Sequence, residues 1–122
     1  MPILDVEIVL KPDEMLTSDI AARIAEAAGE VFASRPRETW VKVRMIDSAL
    51  YAENGSGSSL DVFPVFVSVL KSRIEADGLK EEANRLAESI ARACNRSKEN
   101  VHILYQQEAR GNVAFGGNLL EP

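Results

Sequence analysis

The second residue of the chain is Pro2, directly behind Met1. A small residue in that place directs methionine aminopeptidase to remove Met1, which makes Pro2 the expected mature N-terminus. Its free secondary amine is nucleophilic, is tied to the backbone, and titrates at about 7.7–8.0 before a fold perturbs it. Apolar walls or nearby cations lower that value. A base poised near neutrality suits proton transfer beside a carbonyl. Cations available to such a base come in two groups: Arg35, Arg37, Lys42 and Arg44 in one stretch, Lys71 and Arg73 in another. The planar guanidinium fork of an arginine pairs a carboxylate through two hydrogen bonds. His102 is the only histidine and Cys94 the only cysteine. That argues against a Ser/His/Asp triad, a histidine-rich or thiolate metal site and an intrachain disulfide, so no metal is expected. Met-Pro alone has little weight, since proline is about 5% of average composition. The elements that position it decide the matter.

The chain has 122 residues, 46% hydrophobic and 27% charged, which fits one soluble globular domain. The expected extent is 1–122, in two halves at about 2–52 and 60–122. A net charge of −5 argues against nucleic acid as a bulk electrostatic partner, while leaving room for a local pocket for a small anion. No apolar run approaches the roughly 20 residues of a membrane span, so no membrane partner is expected. The N-terminus has no basic-then-apolar signal segment, and a cytoplasmic location is expected. The GSGSS run at 55–59 lacks the third glycine of a dinucleotide fingerprint and opens no helix, so no nucleotide cofactor is expected.

Residues 3–10 alternate, with Leu4, Val6, Ile8 and Leu10 on one face and Asp5 and Glu7 on the other, which predicts a half-buried strand. Thr17 or Ser18 is the expected cap of a helix whose apolar face is Ile20, Ile24, Ala27, Ala28, Val31 and Phe32, with Pro36 as its stop. A second strand follows, with Val41, Val43 and Met45 set against Trp40, Lys42 and Arg44. Residues 53–59 predict a polar loop. Beyond it the order repeats. Residues 62–70 predict a strand buried on both faces, with Pro64 at a bulge or an unpaired position. Leu79, Ala83, Leu86, Ala87, Ile90 and Cys94 mark a second amphipathic helix. Val101, Ile103 and Tyr105 alternate with His102 and Leu104 in the last main strand, and a short AFGGNLL tail closes the chain. The halves read as copies of one unit of about 60 residues. The expected class is α+β: a duplicated βαβ unit forming a four-stranded mixed sheet with two helices on one face. The other face, with Trp40, His102 and Leu104 on it, would be bare, and a partly apolar bare face predicts oligomerisation.

Pro2 heading a strand, the duplicated βαβ unit and the closing tail together resemble the tautomerase superfamily over nearly the whole chain. The layout is most similar to the macrophage migration inhibitory factor group, in LYAENGSGSS at 50–59 and NVAFGGN at 112–118. The second half also resembles the short 4-oxalocrotonate tautomerase subunit, through VHILYQQEARGNVAFGGNLL at 101–120. The resemblance implies a homotrimer with a site around each N-terminal proline, near a subunit boundary. It implies that Pro2 is catalytic and that Arg73, in VLKSR, binds a substrate carboxylate. Lys71 falls where malonate semialdehyde decarboxylase-like members have a further arginine. Arg35 matches a lysine at the pocket mouth, and Val113 and Phe115 match pocket walls. His102 departs from the pattern, falling where the short tautomerases place a carbonyl-polarising arginine and migration inhibitory factor-like members a tyrosine. Histidine can donate there, but it is mostly uncharged at neutral pH. The Cys-x-x-Cys associated with thiol redox activity is absent.

Each of these residues also has a plainer reading. Arg73, Lys71 and Arg35 suit a solvated surface, His102 and Trp40 an interface between copies, and Phe115 simple packing. Glu38 is a lesser candidate, as an acid near the site. The reading that unites them is a cofactor-independent keto-enol tautomerase acting on small 2-oxo or enol carboxylates, with Pro2 as general base. Two alternatives stand beside it. One is a decarboxylase, hydratase or dehalogenase of the same superfamily that uses a protonated Pro2. The other is a non-enzymatic trimeric binding or signalling module.

Overall fold

The computed structural model describes residues 2–57 and 61–122. Strand β1 (Ile3–Val9) leads into helix α1 (Ile20–Phe32) and strand β2 (Trp40–Ile46). Strand β3 (Val65–Leu70), helix α2 (Leu79–Cys94) and strand β4 (Val101–Tyr105) repeat that order. A hairpin of β5 (Ala114–Phe115) and β6 (Asn118–Leu119) follows. The main sheet runs β2-β1-β3-β4. Each half contributes a parallel pair, β1 with β2 and β3 with β4, and the halves meet antiparallel along β1 and β3. This is the mixed sheet expected from the duplicated unit.

Alternation sets the layers. Leu4, Val6 and Ile8 of β1 and Val65, Val67 and Val69 of β3 are fully buried, and they pack with Ile24 and Ala28 of α1 and Leu86 and Ile90 of α2. Burying each of the larger of these side chains contributes about 1.5–3 kcal/mol. Expecting β3 to be buried on both faces was incorrect, because Phe66, Ser68 and Leu70 are only half-buried. Among the described residues no helix covers that side, so an apolar run here signals an uncovered sheet face and not a second layer. Pro64 lies just outside the ladder, where its carbonyl accepts the Val9 N–H at 3.0 Å.

Helix α1 is capped by Asp19 and not by Thr17 or Ser18, and no side chain bonds its first turn. The Thr17 hydroxyl is occupied by the Asp19 carboxylate. Ala33 ends the helix by turning left-handed at φ 52°, three residues before Pro36. Helix α2 begins at Gly78, with Glu81 and Glu82 in its first turn complementing the helix dipole. It ends at Asn95, which is again left-handed at φ 54°.

Arg96 follows immediately. Its side chain is only 2% exposed and meets Glu14 at 2.7 Å. It donates to the carbonyls of Phe63 (2.7 Å), Val9 (2.9 Å) and Cys94 (3.0 Å), and to both oxygens of Glu14. One guanidinium thereby ties the end of β1, the connection into α1, the approach to β3 and the end of α2. Its hydrogen bond holds the Glu14 carboxyl below its ordinary value, against the opposing effect of burial. Cys94 is buried, and burial pushes its thiol up to about 11.

The other sheet face is open. Trp40, on one edge strand, is 48% exposed, and on the other edge strand Leu104 is 49% exposed and His102 is exposed as well. Lys42 pairs with Asp5 at 3.1 Å and Arg44 with Glu7 at 3.2 Å across β1 and β2. Met45 is 60% exposed, unlike Val41 and Val43, which share its parity and pack on the core. Among the described residues no helix is long and apolar enough to cross a membrane.

Candidate active site

At one end of the sheet β1 begins, β2 begins, and β3 and β4 finish. Pro2 is buried there, just ahead of β1 and in phase with Leu4, Val6 and Ile8 beneath the helices. Its carbonyl accepts the Trp40 N–H at 3.1 Å. The β1–β3 register pairs Ile3 with Leu70, and one further step along it sets Pro2 opposite Lys71.

Trp40 and Phe115 cover this end. Their rings meet edge to face, with centroids 5.7 Å apart at 85°. The Trp40 indole N–H donates to the Arg37 carbonyl at 2.9 Å. Phe115 is held by the β5–β6 hairpin, whose Gly116 and Gly117 take φ of 59° and 88°. Two successive positive φ values make the tight primed turn that suits a two-residue hairpin loop. The tail is anchored to the end of β3, where Ala109 N–H donates to Lys71 O at 2.8 Å and Arg110 N–H to Ser72 O at 3.3 Å. Val113, half-buried in the same tail, accepts from Leu120 N–H at 2.8 Å. Pro2, Lys71, Val113 and Phe115 are therefore attached to one end of the fold.

Lys71 lies beneath the helices. Its ammonium is 2.8 Å from Glu82 Oε1 and 5.6 Å from the centroid of the Phe32 ring. The second Glu82 oxygen accepts the Tyr105 hydroxyl at 2.8 Å. Burial, then this hydrogen bond, pushes the Tyr105 phenol well above its ordinary range. Lys71 and Arg73 line a recess of ≈ 420 Å³ at the start of α2, with Glu82, Arg85 and Leu79 among its walls. Pro2 itself is not part of that lining. Among the described residues Arg73 forms no ion pair.

Two expected site residues lie elsewhere within one chain. Arg35 is exposed and folds back on Glu38, 3.9 Å away, while its N–H donates to the same carboxylate at 2.9 Å. Both oxygens of Glu38 are thus engaged in that turn. Arg35 lines a separate recess of ≈ 480 Å³ between α1 and the turn before β2. His102 stands on the open face against Phe66, with centroids 5.4 Å apart. Phe66 pairs with Glu7, five positions along β1 from Pro2, so His102 is roughly 17 Å from Pro2 along the strands.

Sequence reasoning missed Glu82 and Tyr105. Glu82 reads as the solvated side of an amphipathic helix and Tyr105 as core. The available signal was Lys71, a cation in phase with three buried valines, which requires a counter-charge. Arg110 was missed too; it meets Glu108 at 3.4 Å and its Nε is buried without a partner. Among the described residues no three His, Cys, Asp or Glu side chains cluster closely enough to hold a metal ion.

No protein-family model matches the chain, and no curated protein matches it. Solved structures do. The macrophage migration inhibitory factor of Trichinella spiralis superposes with a TM-score of 0.70 at 14% identity, over 95% of this chain and 97% of that one. A fused 4-OT, described as a symmetric trimer, gives 0.75 at 9% identity over 97% and 94%. FG41 malonate semialdehyde decarboxylase gives 0.67 at 16% identity over 93% and 88%. Likeness at such identities is a likeness of fold, and it extends over nearly the whole of each chain. The sheet order, the two helices on one face and these superpositions together give the chain the tautomerase-superfamily fold.

Proposed function

We propose that the protein is a cofactor-independent tautomerase of small 2-oxo or enol carboxylates, with Pro2 as general base once Met1 is removed. The observation that carries this reading is the place of Pro2. It is buried at the head of a central strand, opposite Lys71 in register and at the same end of the sheet as the Trp40–Phe115 pair. Burial disfavours the protonated amine, so the base is available near neutrality. The amine takes a proton from the enol oxygen or the carbon of the substrate and returns it to the other atom. Arg73, exposed at the rim of the neighbouring recess, anchors the substrate carboxylate. Val113 and Phe115 exclude water from the reacting carbon.

The protein acts as a homotrimer in this reading. The open face, with exposed Trp40 and Leu104, packs against further copies and carries His102 to a neighbour's Pro2, where it donates to the developing enolate oxygen. The trimer described for the fused 4-OT supports that assembly. Arg35 stands at the mouth of the site only if its contact with Glu38 opens.

Ketonisation of phenylenolpyruvate, followed by ultraviolet absorbance, tests the proposal on protein shown by intact mass to lack Met1. Pro2→Ala is expected to lower kcat/KM by at least about 100-fold, the usual scale of a general base. Equal activity in the variant would sink the reading.

A second reading draws on the acidic groups around Lys71. Glu75, Asp77, Glu81 and Glu82 line the same recess, and carboxylates favour a protonated amine. A Pro2 amine titrating above about 8 would serve as an acid in decarboxylation or hydration. Titration of the Pro2 amine separates the two.

A further inference from the structure

Lys71 is a poor candidate for direct contact with substrate. Its side chain is 23% exposed, and that of Glu82 is 18% exposed at 2.8 Å from it. Tyr105 holds the second Glu82 oxygen, and its raised phenol keeps its proton throughout the working pH range. Glu82 is therefore saturated: one oxygen takes an ammonium and the other a hydroxyl. The aromatic ring of Phe32 closes a further side of the ammonium. Charge withdrawn from solvent in this way costs more to break than an exposed pair. Arg73, two residues further along and exposed, has no such partner among the described residues.

We infer that Glu82 is a positioning residue of the proposed site: with Tyr105 it holds Lys71 as half of a neutral pair beside Pro2 and leaves Arg73 to take the substrate carboxylate. This rests on the reading of Pro2 as the proton-transfer group. The pair matters because an isolated ammonium beside an amine favours its uncharged form, whereas an isolated carboxylate favours its protonated form. Holding both together cancels most of each effect.

Other charges face Lys71. Glu81 and Arg85 come from α2, and Arg73, Glu75 and Asp77 from the connection before it. Tyr105 comes from β4 and Pro2 from the residue ahead of β1, while the α1 neighbours Val31 and Phe32 carry no charge. These groups are the same in every member of the charge cycle below and cancel in that comparison.

The test is a charge cycle: wild type, Glu82→Gln, Lys71→Met and the double variant, each confirmed as folded by circular dichroism. The Pro2 amine is titrated by nitrogen-15 NMR, which needs no turnover. Glu82→Gln exposes the ammonium and is expected to lower the Pro2 pKa by about one pH unit. Lys71→Met exposes the carboxylate and is expected to raise it by about the same amount, the scale of a unit charge roughly 10 Å away at an effective dielectric of about 20. The double variant is expected to return to within about 0.3 of wild type. Opposite shifts that cancel cannot come from a merely structural role. Shifts of one sign, or none, overturn the inference. For phenylenolpyruvate, Lys71→Met is expected to change KM less than about threefold and Arg73→Ala to raise it at least about tenfold. An equal rise in both means that Lys71 binds substrate, and overturns it as well. Processed protein that is inert toward phenylenolpyruvate counts against the tautomerase reading alone, and the titration still decides the charge pair. Retention of Met1 overturns both.

Discussion

Arg96 and Glu14 show how much a single ion pair can organise when it is buried and fully bonded. The guanidinium donates to three carbonyls from separate segments and to both Glu14 oxygens. Removing it strands a carboxylate and three carbonyls. Arg96→Met is therefore expected to cost about 3–5 kcal/mol of unfolding free energy in urea titrations. The pair also makes stability depend on pH. The folded Glu14 pKa is depressed below its ordinary 4.5, so its contribution is fully present above that value and is lost as pH falls through the folded pKa. Glu14→Gln is expected to be less stable at pH 7 but to lose stability less steeply below pH 4.5, as followed by circular dichroism. None of this was visible in the sequence, where Arg96 follows Cys94-Asn95 and looks like a cation beyond a helix end. Lys71 was legible as a candidate for the site, but its counter-ion was not. The packing of α2 on the sheet that brings Glu82 to it depends on tertiary structure, which residue spacing does not encode.

At the scale of elements, period alone located most of the fold. The two-residue alternation of β1 and the 3.6-residue apolar face of α2 match the observed Ile3–Val9 and Leu79–Cys94 closely. Element ends were less legible, because left-handed turns end the helices at Ala33, three residues ahead of Pro36, and at Asn95, where no glycine or proline announces it. The terminal hairpin was readable only as a tail, yet it brings Phe115 to Trp40. Its turn tests that role cleanly. A Cβ at Gly117 would meet no atom within 4 Å, so the strain of Gly117→Val is confined to the backbone at φ +88°. An L-residue there costs about 1–2 kcal/mol, which favours opening of the short hairpin. Trp40 is the only tryptophan, so its fluorescence reports the loss of Phe115 directly. Gly117→Val is expected to shift Trp40 emission to the red while leaving the far-ultraviolet circular dichroism close to wild type.

The whole molecule has more surface than a free-standing chain of its size needs. Its accessible area is 7846 Å² for 13.4 kDa, against about 6,500 Å² expected of a monomeric globular protein of that mass. The excess agrees with one helical layer on a sheet whose other face is bare. Charging that face is the matching test. Leu104→Glu is expected to convert the proposed trimer to monomer in sedimentation velocity while preserving the two-layer core, since Leu104 touches no buried side of the sheet. An unchanged sedimentation coefficient would place the contact between copies elsewhere. Cys94 adds a last consequence at this scale. The thiol lies wholly within the core, at the junction tied by Arg96, and burial keeps it protonated. A reagent in solution meets it only when the helix and sheet layers separate. The lone thiol is thus a clock built into the fold, its rate of alkylation counting how often the molecule opens.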